Sequence, residues 1–496
     1  MPILLSILIV LLVLVLFLAA FMVFRTLVYG RLPEPAPEAL LDETIDGKLV
    51  AEHLSNAIRC QTVSMSDRSQ IDTRPFETLY VELERMYPRT HAALRRERVN
   101  EFSTLYMWPG TNGELEPVML CGHIDVVPAD SATLSEWTHP PFRGDVDEDA
   151  VWGRGALDMK STVIAIFEAV ESLLKAGHQP ERTVYLAIGH DEEIGGLEGA
   201  RCIAQRLLER GEHLAAVFDD GGAIMSGSVP GVTVPVAMVG IGEKGYASLE
   251  LVVEGRAGHS SMPPPHTAIG VLARALARLE SRPMPAYAGL ARLMFEHLGP
   301  FLPFTTRMAL ANYWLLGGSV QRRLEAAAPT NAIVRTTAAI TMIEGGVKDN
   351  VLPARVKAVV NYRILPGDTV QSVLAHVQKA VADDAVQVIL PEGASWEASA
   401  VSPVDSMEYQ ELSTIIRQVY PEAIVAPYLV SGATDSRHYL PLTGNVYRFS
   451  PYMLDAALLK TIHGIDERIS IDSLARMVQF YLLLIKDWTE GEEKES

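Results

Sequence analysis

From Pro2 to Phe24 no side chain is charged and nearly every one is apolar. As a helix, this run would extend about 34 Å, enough to cross the hydrocarbon core of a bilayer. The start lacks Lys and Arg, the run is long for a secretory leader, and Ala19-Ala20 leads on into Phe21-Met22-Val23-Phe24. These features favour a retained membrane anchor over residues 2–24, with a signal segment as the alternative. No Asp, Glu, Lys, Arg or His interrupts the span, which argues against a transport pathway through it. Residues 25–44 read as a tether, stiffened by proline over 32–40. Arg25 and Arg31 are diluted by Glu34 and Glu38, so the side of the membrane that holds the body stays open.

Beyond the tether, short apolar runs alternate with helical periods. Pro117–Cys121, Thr183–Ile188 and Ala215–Phe218 read as buried strands. Between the first two, Ser161–Lys175 places Val163, Ile166, Phe167, Val170 and Leu174 on one helical side. This predicts an α/β layer architecture, in which ligands collect at the carboxyl ends of strands. The middle differs. Ala247–Glu254 alternates like a half-buried strand, Thr267–Ser281 is helical, and 334–343 and 354–363 read as strands again. The expectation is an α/β catalytic domain, 45–243 and 366–488, interrupted by a smaller α+β domain at 244–365. Within the insert, residues 283–328 are rich in Leu, Phe, Met and Pro without clear periodicity, and read as an apolar insertion, a wall for a substrate site. The α/β pattern is expected to resume near Thr369.

Composition narrows the function. Lys and Arg number 42 against 61 Asp and Glu, a net charge of −19. That argues against a nucleic-acid partner, whose binding needs a cationic surface, and against adhesion to anionic lipid through a basic patch. Only Cys60, Cys121 and Cys202 are present, without a CxxC pair, which excludes a disulfide scaffold and a cysteine-ligated zinc site.

Each predicted strand ends in polar residues: His123 and Asp125 after the first, Glu192-Glu193 after the second, Asp219-Asp220 after the third. Asp158 follows a Gly-rich turn, and His463 stands in Thr461-Ile-His-Gly464. Imidazoles and carboxylates are suitable ligands for two divalent ions, and a shared carboxylate is a natural bridge. Of two adjacent glutamates, one can ligate while the other takes a proton from water. Asp125, two residues after His123, can hold the imidazole's second nitrogen. Taken singly, a histidine after a strand is more often structural and an acidic pair more often a solvated loop or cap, as Asp191 would be. The coincidence of clusters at strand ends outweighs those readings.

The strings Gly122-His-Ile-Asp-Val-Val-Pro128, Trp152-Gly-Arg-Gly-Ala-Leu-Asp-Met-Lys160, Gly189-His-Asp-Glu-Glu-Ile-Gly-Gly196 and Ser431-Gly-Ala-Thr-Asp-Ser-Arg-His438 resemble the two-zinc metallopeptidase family of aminoacylase and carboxypeptidase S. The resemblance runs from about residue 45 to 488 and is strongest to the carboxypeptidase S branch, which includes N-fatty-acyl-amino-acid hydrolases. It implies two Zn2+ per chain: His123 and Asp219 on one, Glu193 and His463 on the other, Asp158 bridging. Glu192 would be the general base and Asp125 would orient His123. The branch usually has Asp-Glu-Gly-Gly where this chain has Asp219-Asp220-Gly221-Gly222, so Asp220 is the alternative ligand. The inserted domain would be the family's lid and dimerisation domain, making a homodimer the expected assembly. His259 and Asn350 would support the oxyanion, and Arg363, with Arg437 as a second candidate, would clamp a substrate carboxylate.

The reading is therefore a membrane-anchored zinc amidohydrolase acting next to a free carboxylate, on a small peptide or N-acyl amino acid. The alternatives are an inactive receptor or scaffold on the same fold, which the presence of Glu192 argues against, and a single-metal peptidase.

Overall fold

A computed structural model describes residues 2–30, 45–227 and 229–490 of the chain; the proline-rich stretch 32–40 and most of the expected tether lie outside them. Two compact units are present. The smaller comprises Met1–Arg31, Gly242–Val401 and Leu429–Ala433, and the larger comprises Leu32–Ile241, Ser402–Tyr428 and Thr434–Ser496.

The main strands, in chain order, are β1 (Arg95–Val99), β2 (Ser103–Trp108), β3 (Val118–His123), β4 (Val184–Gly189), β5 (Ala216–Met225), β6 (Val236–Glu243), β7 (Gly245–Glu254), β8 (Thr337–Gly345), β9 (Arg355–Ile364), β10 (Val386–Ile389), β11 (Ile424–Val430) and β12 (Val446–Leu454). Eight of them form one mixed sheet in the order β1-β2-β4-β3-β5-β12-β6-β11. Its centre is parallel: β3 pairs with β4 and β5, and β5 with β12. Every residue of β3 and β4 is buried, as expected for strands covered on both faces. The helix Lys160–Lys175 links β3 to β4 and buries Val163, Ile166, Phe167 and Val170, the side its periodicity marked.

In the smaller unit, β8-β9-β7-β10 make an antiparallel sheet, joined at β7 by Ser395–Trp396. Along β9 buried and half-exposed residues alternate, because one face meets the helices Ala268–Glu280 and Val370–Val381. Leu249, Leu251, Leu272, Val360, Tyr362, Val373 and Val377 share that core. The helix at Thr369, expected to return the chain to the large sheet, thus belongs to the small one, and the insert extends to Val401 rather than ending at 365. An amphipathic period identifies a buried face but not which of two sheets it covers.

Residues 283–328 differ from expectation too. They lie mostly in helices, Gly289–Leu298, Phe304–Ala311 and Tyr313–Ala326, followed by Ala328–Val334. Gly299-Pro300, Pro303 and Pro329 fall at their boundaries and keep most of them short, and Tyr313–Ala326, the longest, buries only Val320 and Leu324, too few to mark a period. Part of their apolar surface meets the N-terminal helix Pro2–Leu27, where the Arg25 Nε–H donates to the Ala311 carbonyl at 3.0 Å. Ile3–Leu27 is long and apolar enough to cross a membrane.

Candidate metal centre

Three neighbouring parallel strands bring the polar residues together in the larger unit. His123 ends β3 opposite Gly189, the last residue of β4. One turn on, Glu192–Ile194 forms a short 3-10 helix. Asp219 and Asp220 lie within β5. Asp158 ends the Gly-rich loop just before the helix Lys160–Lys175. His463 has a φ of 59°. This left-handed conformation costs a residue with a Cβ about 1–2 kcal/mol, and here it accompanies a ring that faces two carboxylates.

The distances define a cluster. His123 Nε2 lies 3.1 Å from Asp158 Oδ1 and 3.8 Å from Glu192 Oε2. His463 Nε2 lies 3.0 Å from Asp158 Oδ2 and 3.2 Å from Glu193 Oε1. Asp158 therefore turns one oxygen to each imidazole. Three triads, His123–Asp158–Asp220, Asp158–Glu193–His463 and His123–Glu192–Glu193, each bring one ligand atom per residue within 4.8 Å of the others, and Asp158 belongs to the first two. Behind them, Asp125 is fully buried, with its Oδ1 3.4 Å from His123 Nδ1. The same carboxylate accepts the backbone N–H groups of Glu192 and Glu193, both at 3.2 Å. His123 Nδ1 also lies 3.0 Å from the Asp125 backbone carbonyl, so this one residue holds the imidazole through its carbonyl and the turn of paired glutamates through its carboxylate.

Charge in this cluster is unbalanced. Burial, reinforced by Asp220, Asp435 and Glu193 against the opposing pull of His123, pushes the Glu192 carboxyl well above its ordinary range. Burial raises Glu193 as well. Asp158 moves the other way: burial would raise it, but hydrogen bonds from His123 and His463 prevail and hold it low. Asp158 and Glu193 push His463 up to about 10. The donor set, imidazole nitrogens and carboxylate oxygens converging within ligand distance, suits zinc and related divalent ions.

The expected pairing of Asp219 with His123 is not what the structure shows. Asp220 joins His123 and Asp158, whereas Asp219 Oδ2 accepts the Ser436 N–H at 2.7 Å. Successive residues of a strand point to opposite faces, so only one of the two aspartates can face the cluster. Arg437 Nη2 donates to the Gly195 carbonyl at 2.6 Å, bracing the turn that bears Glu192 and Glu193. In the smaller unit, His259 pairs with Val351 in a two-strand ribbon, and the Ser260 N–H donates to the Asn350 carbonyl. His259 Nδ1 accepts the Ser261 N–H at 3.1 Å, so in the neutral ring Nε2 carries the hydrogen and is a donor. Arg363 lies over the Tyr246 ring, 5.1 Å from its centroid.

Sequence reasoning missed the groups beneath the Asp158 loop. Glu467 is fully buried and accepts Arg154 Nη1 at 2.6 Å together with the N–H groups of Gly155, Leu157 and Asp158. Only the position of Glu467, four residues after His463, hinted at this. Asp191 does not cap its turn with its side chain; its carboxylate accepts the Glu198 and Gly199 N–H groups instead. At Gly196 (φ 65°) a Cβ would collide with the buried Asp435 carboxylate, so glycine is required.

A mixed α/β sheet that gathers imidazoles and carboxylates at the ends of parallel strands defines a metal-dependent hydrolase class of site. The chain belongs to Peptidase family M20/M25/M40, whose model matches residues 119–487. It is 41% identical over 457 residues to the N-fatty-acyl-amino acid synthase/hydrolase PM20D1 of Xenopus tropicalis, covering 91% of this chain and 88% of that one. A probable carboxypeptidase S-like protein 2 of Dictyostelium discoideum is 38% identical over 443 residues, covering 88% and 85%. Among solved structures, the M20 family metallo-carboxypeptidase Sso-CP2 of Sulfolobus solfataricus superposes with a TM-score of 0.63 at 17% identity, covering 89% of this chain and 98% of that one. The chain is thus an enzyme of a metal-dependent hydrolase family.

Ligand imidazoles must lose their protons to bind a metal. His463, pushed up to about 10, is protonated at neutral pH in the metal-free protein. Its folded value exceeds the unfolded one of about 6.5, so its stabilising contribution is complete below about pH 6.5 and is lost as pH rises through about 10. Titrating zinc into metal-free protein near pH 7.5 in weak buffer should release protons, and the apparent affinity should rise with pH. Proton-neutral uptake with pH-independent affinity would contradict the arrangement at His463.

Proposed function

We propose that this protein is a membrane-anchored, two-zinc amidohydrolase that cleaves an amide next to a free carboxylate, in an N-acyl amino acid or at the C-terminus of a small peptide. The observation that carries the reading is the shared Asp158, one oxygen directed to each of two imidazoles, with a triad of ligand atoms around each that includes Asp158. His123 and Asp220 with Asp158 would hold one ion, and Glu193 and His463 with Asp158 the other. Bound there, the pair supplies Lewis-acid polarisation of the carbonyl and acidifies water. The similarity to a fatty-acyl-amino-acid hydrolase and to a carboxypeptidase S-like protein supports the substrate class.

The chain's own residues do the rest. Glu192 takes the proton from the attacking water and returns it to the leaving amine, the exchange a carboxylate beside the ligands is placed to make. Asp125 keeps His123 in one tautomer and fixes the Glu192 turn at the same time. We assign His259 Nε2–H and Asn350 to the developing oxyanion, and Arg363 to the substrate carboxylate, for which a planar guanidinium gives a two-point clamp. Arg437 acts as a brace for the glutamate turn. Self-association of the inserted unit would use β8, an edge strand with Met342 and Ile343 exposed. The length and apolarity of the N-terminal helix support the anchor.

A hydrolysis screen of purified, zinc-loaded protein over N-acyl amino acids and dipeptides tests the substrate class. Turnover that disappears when the carboxylate is amidated is expected; equal turnover of the amidated compounds would remove the carboxylate requirement.

Glu192→Gln should keep the fold and both metals but lose about 10²–10⁴-fold in kcat, since a carboxamide cannot accept the proton. Wild-type turnover in metal-replete variant would take the base role from Glu192.

The two aspartates of β5 separate cleanly. Asp220→Asn should lower metal affinity by more than the about 10–100-fold typical of groups behind a ligand, and Asp219→Asn by no more than that. Metal titration of both variants is the check, and the reverse order would restore Asp219 as the ligand.

A further inference from the structure

We infer that the helices over Gly289–Ala326 form a collar that grips the end of the N-terminal helix and lays Phe304, Trp314 and Leu315 into the bilayer interface. The inference rests on the anchored reading above and deepens it. It makes the inserted unit, rather than a loose tether, the part of the molecule fixed at the membrane surface.

The grip is polar as well as apolar. Thr26 is fully buried, though it belongs to a helix whose first four turns are exposed. Asn312, also fully buried, donates from Nδ2 to the Met22 carbonyl at 3.2 Å and to the Met308 carbonyl at 2.9 Å, spanning the two helices. Its Nδ2 lies 3.4 Å from Thr26 Oγ1. Arg25 adds its bond to the Ala311 carbonyl. Just past the helix, Gly30 has a φ of 98° and approaches Pro300 so closely that a Cβ would sit 2.5 Å from Pro300 Cδ. A removable leader needs no such fit. Loss of the segment up to Gly30 would expose a buried amide and the apolar patch Leu310–Ala311.

The exposed side of the collar has the composition of a membrane interface. Phe304, Trp314 and Leu315 are 44%, 56% and 48% exposed. Trp314 is continuous with the anchor, because it lines one cleft of about 510 Å³ together with Tyr313, Arg25, Val28, Tyr29 and Arg292. Indole and phenol rings concentrate where the headgroups meet the acyl chains. Charge agrees: residues 289–334 contain Arg292, Arg307, Arg322 and Arg323 against Glu296 and Glu325, 4 − 2 = +2, in a chain whose net charge is −19. A local cationic excess beside an apolar helix suits anionic lipid headgroups. The occupant of this surface is therefore the bilayer that holds the N-terminal helix.

The tryptophans make this measurable. Trp314 is the most exposed of the six, and Trp108, Trp137 and Trp488 are buried. Full-length protein is reconstituted in vesicles of phosphatidylcholine and phosphatidylglycerol with bromine on the upper acyl carbons, and intrinsic fluorescence is compared with that in unbrominated vesicles. We expect quenching in the wild type, and loss of most of that quenching in Trp314→Phe, a substitution at an exposed position. Protein that floats with the vesicles but shows equal quenching with and without Trp314 would overturn the collar and leave the anchor standing. Protein that does not float with vesicles, its N-terminal helix intact, would overturn the anchor and the collar together.

Discussion

The structure is organised around a surplus of negative charge in one buried place. Asp125, Asp158, Glu192, Glu193 and Asp220 converge on two imidazoles, with Asp219 and Asp435 close behind. Carboxylates taken out of water resist ionisation, and like charges raise one another further, as the shifts of Glu192 and Asp435 show. Two protonated imidazoles offset part of this repulsion in the metal-free chain. Divalent cations would offset it more completely, and the ligand atoms converge within 4.8 Å of one another, as such ions need. Every supporting contact around the cluster keeps that spacing against the repulsion.

Parallel pairing does much of this work. Because β3, β4 and β5 run side by side in one direction, the ends of β3 and β4 deliver His123 and the Glu192 turn to the same place as Asp220, which lies within β5. Buried carboxylates then hold the loops in place through backbone N–H groups. Asp125 holds Glu192 and Glu193, Glu467 holds Gly155 to Asp158, and Asp191 holds Glu198 and Gly199. Each supplies several charge-assisted acceptors to donors that would otherwise be unpaired, so the loops gain a single geometry without a longer core.

Much of this was legible in the chain itself. Strand ends, the helix over Ser161–Lys175 and the residues His123, Glu192 and Glu193 follow from apolar runs and periods ending in polar clusters, while Asp158 stood out after a Gly-rich turn and His463 through the family resemblance. What was not legible depends on three-dimensional pairing. Adjacent aspartates at 219 and 220 are chemically alike, and only the facing of β5 tells them apart. Glu467 looks like any acidic loop residue until its four donors are seen. The helix Val370–Val381 has the same amphipathic period whichever sheet it covers. Proline-broken helices at 289–334 are short or bury too few residues to show a period, and nothing in the sequence tied them to a helix some 290 residues earlier, as Asn312 and Met22 are tied.

The central claim is that Asp158 joins two ligand triads into one dinuclear site. Diffraction from zinc-loaded crystals at the zinc absorption edge tests it most directly. The account predicts two anomalous peaks per chain, about 3.5–4 Å apart, with one Asp158 oxygen toward each, His123 and Asp220 at one peak and Glu193 and His463 at the other. A single peak, or two peaks that Asp158 does not touch, would contradict it.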